Sequence, residues 1–156
     1  MAFINPQDAP SAKLATMYCT INGRRLAMVN AKNLEVVATI SNSDVPRLGS
    51  PIAGKKPTGM EIKLTFTIYK VTEEFDKLVA QYKDTGVMPL FEVQVASEDP
   101  ASVIGRTEKV YRDCVIDGDV LLSSFDSEGN VIEQEITAYA LDYSSNEQYK
   151  NPAYMG

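Results

Sequence analysis

The stretch Gly49-Ser-Pro-Ile-Ala-Gly54-Lys55-Lys56 has the glycine and lysine spacing of a phosphate-binding loop. Such a loop needs a Ser or Thr hydroxyl after the lysine to reach magnesium, and Lys56 stands there instead. Pro57 follows, so no helix begins at this point to offer its N-terminus to a phosphate. The stretch reads as a basic loop. Asp117-Gly-Asp119 and Asp126-Ser-Glu128-Gly-Asn130 carry the ligand types of a calcium loop. Neither places the glycine and the distant bidentate glutamate correctly, and both read as hairpin turns. Glu133 and Glu135 share a strand face with Thr137 and Tyr139. Nothing apolar beside these carboxylates shifts a pKa for acid–base work, so they read as a solvated face. That face gains meaning only if it lines a channel.

The chain has no histidine, which removes the commonest general base and metal ligand, and with them any Ser-His or Cys-His nucleophile. Tryptophan is absent too, which disfavours a sugar-stacking module. Cys19 and Cys114 are too far apart in sequence to form a metal-ligand pattern, and read as small apolar strand residues. No catalytic residue, metal site or cofactor is expected, and the chain reads as a non-enzyme. The net charge of −6 argues against ordinary nucleic-acid binding, which needs a basic surface. The charge is also divided along the chain. Residues 1–70 hold nine basic and four acidic residues, a net of +5, while the remainder holds six and seventeen, a net of −11. Such a split is neutralised within one subunit or between subunits meeting head to tail.

The 156 residues fit one domain, 1–156, with a core large enough to need no disulfide or metal. No apolar run approaches the ~20 residues that span a bilayer. The N-terminal 1–15, with Pro6 and Pro10, reads as an extended arm. Thr16–Ile21 is a short strand, and Asn22-Gly23 is a type I′ hairpin signal. One long strand region is expected from Arg25 to about Ile40. Residues 41–59 hold Pro46, Pro51 and Pro57 with Gly49, Gly54 and Gly59, and read as a long irregular loop. Met60–Lys70 alternates cleanly: Met60, Ile62, Leu64, Phe66 and Ile68 face one way and Glu61, Lys63, Thr65, Thr67 and Tyr69 the other, a half-buried strand with one wet face. A helix over about 72–85 has Thr72 as N-cap, an apolar stripe of Phe75, Leu78, Val79 and Tyr82, and Gly86 at its C-terminal stop. Strands follow over Leu90–Ala96, Arg106–Ile116, Val120–Phe125 and Val131 to about Tyr143. The polar 144–156 reads as a C-terminal arm. The sum is a mainly β fold, an antiparallel sandwich or barrel with one flanking helix, a long loop and two arms.

This order of parts resembles the phage tail tube proteins of the PBSX-prophage family, found also in contractile-tailed clostridial phages and phage-tail-like bacteriocins. The resemblance spans about Tyr18 to Tyr143 and rests on Lys56-Pro-Thr-Gly59, Ile68-Tyr-Lys-Val-Thr72 and Arg106-Thr-Glu108. It implies a structural subunit that closes six-membered rings by joining sheet edges, the rings stacking into a hollow tube. It implies as partners further copies of itself, a tape measure protein in the lumen, a sheath outside, and baseplate initiator and terminator proteins. It implies further that DNA passes through without sequence-specific binding and that no membrane is involved. The resemblance also implies assembly in the host cytoplasm, with a virion tail or an extracellular particle as the product.

Two sets of residues become candidates. Glu35, Thr39, Glu61, Lys63, Thr65 and Thr67 are the lumen-facing set, on wet strand faces. Asp44, Val45, Arg47, Leu48, Ile52, Lys55 and Lys56 are the inter-ring set, in a loop expected to be mobile in the free subunit and ordered against the next ring. A genome-free bacteriocin or secretion tube remains an alternative role. A monomeric ligand-binding β-barrel is a third reading, but it calls for aromatic residues at one end, and the 41–59 loop has none.

Overall fold

A computed structural model describes residues 6–8, 15–27, 31–69, 73–98, 100, 103–125, 127, 129 and 132–151. The strands are β1 Ala15–Ile21, β2 Arg24–Ala27, β3 Ala31–Val45, β4 Gly54–Tyr69, β5 Phe91–Glu98, β6 Arg106–Asp117, β7 Glu133–Ala140 and β8 Asp142–Glu147. Among the described residues, one α-helix, α1, spans Glu74–Thr85, and one 3-10 turn covers Pro6–Asp8. The strands are antiparallel in the order β2-β1-β5-β6-β7-β4-β3, with β8 also on β6.

Local chemistry explains the punctuation. Asn22 and Gly23 both take positive φ, 52° and 78°, the signature of a type I′ turn whose twist matches the strands it joins. α1 stops at Gly86, whose left-handed backbone (φ 75°) lets its N–H reach Tyr82 O at 2.8 Å. The helix begins after Glu73, whose side chain makes no cap bond; Thr72, the expected cap, lies outside the described residues. Phe75 and Leu78 are buried, while Tyr82, at the end of the expected stripe, is half-exposed.

β6 holds the two halves together. Its first part pairs with β5 on one edge and β8 on the other, and its last residues, Val115–Asp117, pair with β7. Asp113 at φ 54° marks the bend between these parts, a conformation Asp tolerates better than most residues. Both halves turn their apolar faces to one core. It contains Cys19 and Ile21 of β1, Leu64, Phe66 and Ile68 of β4, Phe91 and Val93 of β5, Cys114 of β6 and Ile136 of β7. Phe75 closes it, with ring centroids 5.8 Å from both Phe66 and Phe91.

Four expectations need correction. The loop at 41–59 is largely a β-hairpin: β3 and β4 stay in register from Ile40↔Met60 to Val45↔Gly54, leaving only 46–53 as loop. A bulge between Ser41 and Asn42 absorbs the prolines' disruption, placing Thr58 as the extra residue, with Thr58 Oγ1 donating to Ser41 O at 3.2 Å. Pro57 sits next to that bulge, where β4 has no second strand neighbour, and such positions tolerate the missing N–H. The single region Arg25–Ile40 is two strands, β2 on β1 and β3 on β4, at opposite ends of the strand order. Val120–Phe125 is not a strand; Leu122 and Phe125 are exposed and lack a pairing partner strand. The final strand breaks at Leu141, whose N–H donates to Arg112 O at 3.1 Å, so Ser144–Glu147 belong to β8 and not to a terminal arm.

Candidate functional site

β4 pairs with β7 only from Ile62 to Tyr69. Beyond Ile62 the chain continues as a two-stranded ribbon of β3 and β4 alone, closed by the 46–53 tip. At ~3.3 Å per residue, this arm extends roughly 25 Å past the wall. Every described residue of the arm from Val37 to Ala53 is exposed. Among them are Ile40 at 58%, Met60 at 55% and Leu48, which is fully exposed. An isolated two-stranded ribbon is marginal in water, so an arm with this much open apolar surface calls for a partner.

All seven residues of the inter-ring set lie on this arm, but not in a disordered loop. Asp44 and Lys55 are cross-strand partners and form an ion pair within the hairpin. Arg47 donates through Nε and Nη2 to Ile52 O, at 3.3 and 3.2 Å. Ser50 N–H donates to Arg47 O at 3.3 Å across a turn with Gly49 at φ 78°, as a type II turn requires at that position. Lys56 and Leu48 make no such contact among the described residues. The arm is thus ordered by its own ladder and tip, and Lys55 already has an acid beside it. Gly54, Lys55 and Lys56 are strand residues, which removes the phosphate-loop geometry that their spacing mimics.

The second surface is the outer face of the β3-β4-β7 wall. Facing pairs share a side of the sheet. Register places Glu35 opposite Thr65, Thr39 opposite Glu61, and Val37 opposite Lys63. Across β4, Thr65 faces Thr137, Thr67 faces Glu135, Lys63 faces Tyr139 and Tyr69 faces Glu133. Since Ile62, Leu64, Phe66 and Ile68 are buried, all six residues of the lumen-facing set stand together on the opposite, polar side. Asp117, opposite Thr137, joins them. Carboxylates outnumber cations there, and Lys32 Nζ lies 3.3 Å from Glu133. The candidate set omitted the β7 residues and Asp117. The alternation of Glu133, Glu135, Thr137 and Tyr139 was visible, but a strand's neighbours are set by register, which sequence alone leaves open.

A third cluster escaped the candidate sets altogether. Arg106 Nη1 donates to Glu108 Oε2 and Glu147 Oε1, both at 2.7 Å, and Gln94 and Asn146 donate to Glu108 Oε1. The Arg106 hydrogen bond first, then the Asn146 bond, hold the Glu108 carboxyl below the ordinary carboxylate range. Asn146 is the bulged residue of β8, between Glu147 and Ser145, so the bulge aims its amide at Glu108. One carboxylate therefore ties β5, β6 and β8 together. No chemistry arises from the cysteines: both are free and buried, and burial pushes each thiol up to about 12.

The model of the phage tail tube protein family matches residues 2–145. The phage-like element PBSX protein XkdM of Bacillus subtilis (strain 168) is 30% identical over 133 residues, 85% of this chain and 87% of its own. A second protein of that strain, the uncharacterized YqbM, is 29% identical over 148 residues, 95% of this chain and 97% of its own. Among solved structures, a chain of the anti-feeding prophage baseplate superposes with a TM-score of 0.61 at 12% identity, covering 92% of this chain and 97% of that one. A chain of an extracellular contractile injection system sheath–tube complex gives 0.55 at 14% identity, covering 83% and 87%. Those two likenesses speak to the fold, an antiparallel β architecture with one helix. With the family model spanning almost the whole described chain, this protein belongs to the phage tail tube protein family and is a structural subunit of the tail tube.

Proposed function

We propose that the chain builds a contractile tail tube as hexameric rings, with the polar β3-β4-β7 face turned to the lumen and the arm reaching the next ring. The observation that carries this reading is the arm itself: an ordered ribbon, exposed on both faces, whose apolar residues find no cover within the subunit. In the assembled tube Glu35, Thr39, Glu61, Lys63, Thr65 and Thr67 line the channel. A wall with an acid excess repels DNA phosphates and lets the genome slide. Val45, Leu48 and Ile52 bury surface against the neighbouring ring, and Arg47, Lys55, Lys56 and Asp44 form the polar rim of that contact. Exposed ion pairs contribute only ~0–1 kcal/mol each, so the apolar residues carry most of the contact.

On this reading the tape measure protein occupies the lumen before DNA, a sheath surrounds the tube, and initiator and terminator proteins cap its ends. Subunits assemble in the host cytoplasm and leave as part of a tail or an extracellular particle. The role involves no catalysis, cofactor or metal. Negative-stain micrographs of concentrated purified protein test it: rings or tubes with a central channel are expected. A monomer at every concentration and salt, even with a baseplate initiator present, overturns it.

A further inference from the structure

The core-facing side of β1, β5, β6 and β8 does not end at the core. Register carries the row Cys19–Val93–Tyr111–Tyr143 into a next row, Met17–Val95–Lys109–Ser145. Met17 is buried, but Lys109 stands open at the mouth of the fold. The C-terminal segment crosses this mouth: Tyr149 Oη donates to Ser97 Oγ at 3.2 Å, and Lys150 N–H to Ile104 O at 2.6 Å. Between segment and sheet lies a cleft of about 260 Å³, lined by Thr107, Lys109, Tyr143, Ser145, Gln148 and Tyr149.

Two of its polar groups are unused. Lys109 makes no ion pair among the described residues, although the neighbouring Arg106, Glu108 and Glu147 satisfy one another. The Ser145 hydroxyl is buried with no hydrogen-bond partner among the described residues. A buried hydroxyl left unbonded costs free energy, so its place beside a lone ammonium marks a site waiting for an acceptor. Tyr143, stacked on Tyr111 with centroids 6.0 Å apart, gives the cleft a rigid apolar wall. One cation, one free hydroxyl and a flat wall fit a carboxylate on a short side chain.

We propose that this cleft takes up a carboxylate side chain from a second copy of the chain. The supply is on hand, since acids exceed bases by 21 to 15, and Asp84, Glu98 and Asp119 are exposed and make no ion pair among the described residues. The proposal rests on the reading that the chain assembles with itself.

The test mixes nitrogen-15-labelled and unlabelled chains before assembly, treats the particles with a carbodiimide, and maps the joined peptides by mass spectrometry. Lys109 joined to an Asp or Glu in mixed-isotope pairs is expected, while the Lys77–Glu74 pair, 3.3 Å apart within α1, links within one chain and serves as the internal standard. Ser145→Val leaves Lys109 in place and lowers the Lys109 link about fivefold, the factor carried by one lost hydrogen bond, with the Lys77 link unchanged. A Lys109 link confined to same-isotope pairs, or made only with added N-acetylglutamate or a co-purifying protein, overturns the proposal. Micrographs of the same sample judge assembly separately. Tubes without a Lys109 link overturn the cleft assignment alone, and a chain that stays monomeric overturns both readings.

Discussion

Phe75 is where the helix meets both halves of the sheet, its ring tilted on Phe66 and edge-on to Phe91. Truncation leaves a cavity between rigid strands that cannot collapse, so Phe75→Ala is expected to cost about 3–5 kcal/mol, read as a shift of the denaturant midpoint. A loss under 1 kcal/mol would mean that the helix is peripheral to the core. The cysteines give a second residue-scale expectation. With folded thiols pushed up to about 12 against a starting value of 9.0, the folded state keeps protons that the unfolded chain releases above pH 9. Stability therefore declines as pH rises through that window, and thiol reagents at pH 8.5 should label Cys19 and Cys114 only as the protein unfolds. Rapid labelling of native protein would contradict this. Glu108 has the opposite sign: its depressed carboxyl stabilises the β5–β6–β8 junction at neutral pH, and that contribution is lost as pH falls through the acid range. The sequence showed the cysteines as apolar strand residues, since size and spacing suffice for that. It gave no hint of the Glu108 junction, whose partners Gln94, Asn146 and Glu147 come from three separate stretches.

The element that sequence misjudged is the arm. Prolines and glycines every few residues in 41–59 signal irregularity, and the apolar alternation that reveals β4 stops at Met60. What holds the ribbon is its backbone ladder, the bulge at Thr58 and the Arg47–Ile52 tip, none of which leaves a hydrophobic period. Elements built on packing were legible: β4 by its alternation, the β1–β2 hairpin by Asn22-Gly23, and α1 by Phe75, Leu78 and Gly86. Leu141 was not, because its break depends on the neighbouring β6. Joining Ile40 to Met60 through Asn-Gly in place of Ser41–Gly59 preserves the wall and removes the tip. The shortened protein is expected to fold with a Tm within a few degrees of the parent, yet to form no tubes in micrographs. Full-length tubes from this variant, or loss of the fold, would refute the role assigned to the arm.

For the whole molecule, the wall's polar face and the divided charge matter most. Thr65→Arg with Thr137→Arg places facing cations on the wall at positions where the present pair is neutral. Tubes should still form, because neither residue belongs to the core. DNA should then be held, with retention that weakens steeply as salt rises, as phosphate contacts do. Free passage at low salt would place this face away from the channel. The wall's composition was readable strand by strand, whereas its assembly into one surface depended on pairings such as Thr67 with Glu135, which no local pattern specifies. The arm and the wall also share their two longest strands, interrupted within the arm by the bulge at Thr58. A pull on the tip at Leu48 passes the bulge at Thr58, then runs as shear along the β3–β4 ladder and ends on Leu64 and Phe66 in the core. On the proposed arrangement, strain applied at one ring of the tube is carried through the arms and borne by the packed interior of the next.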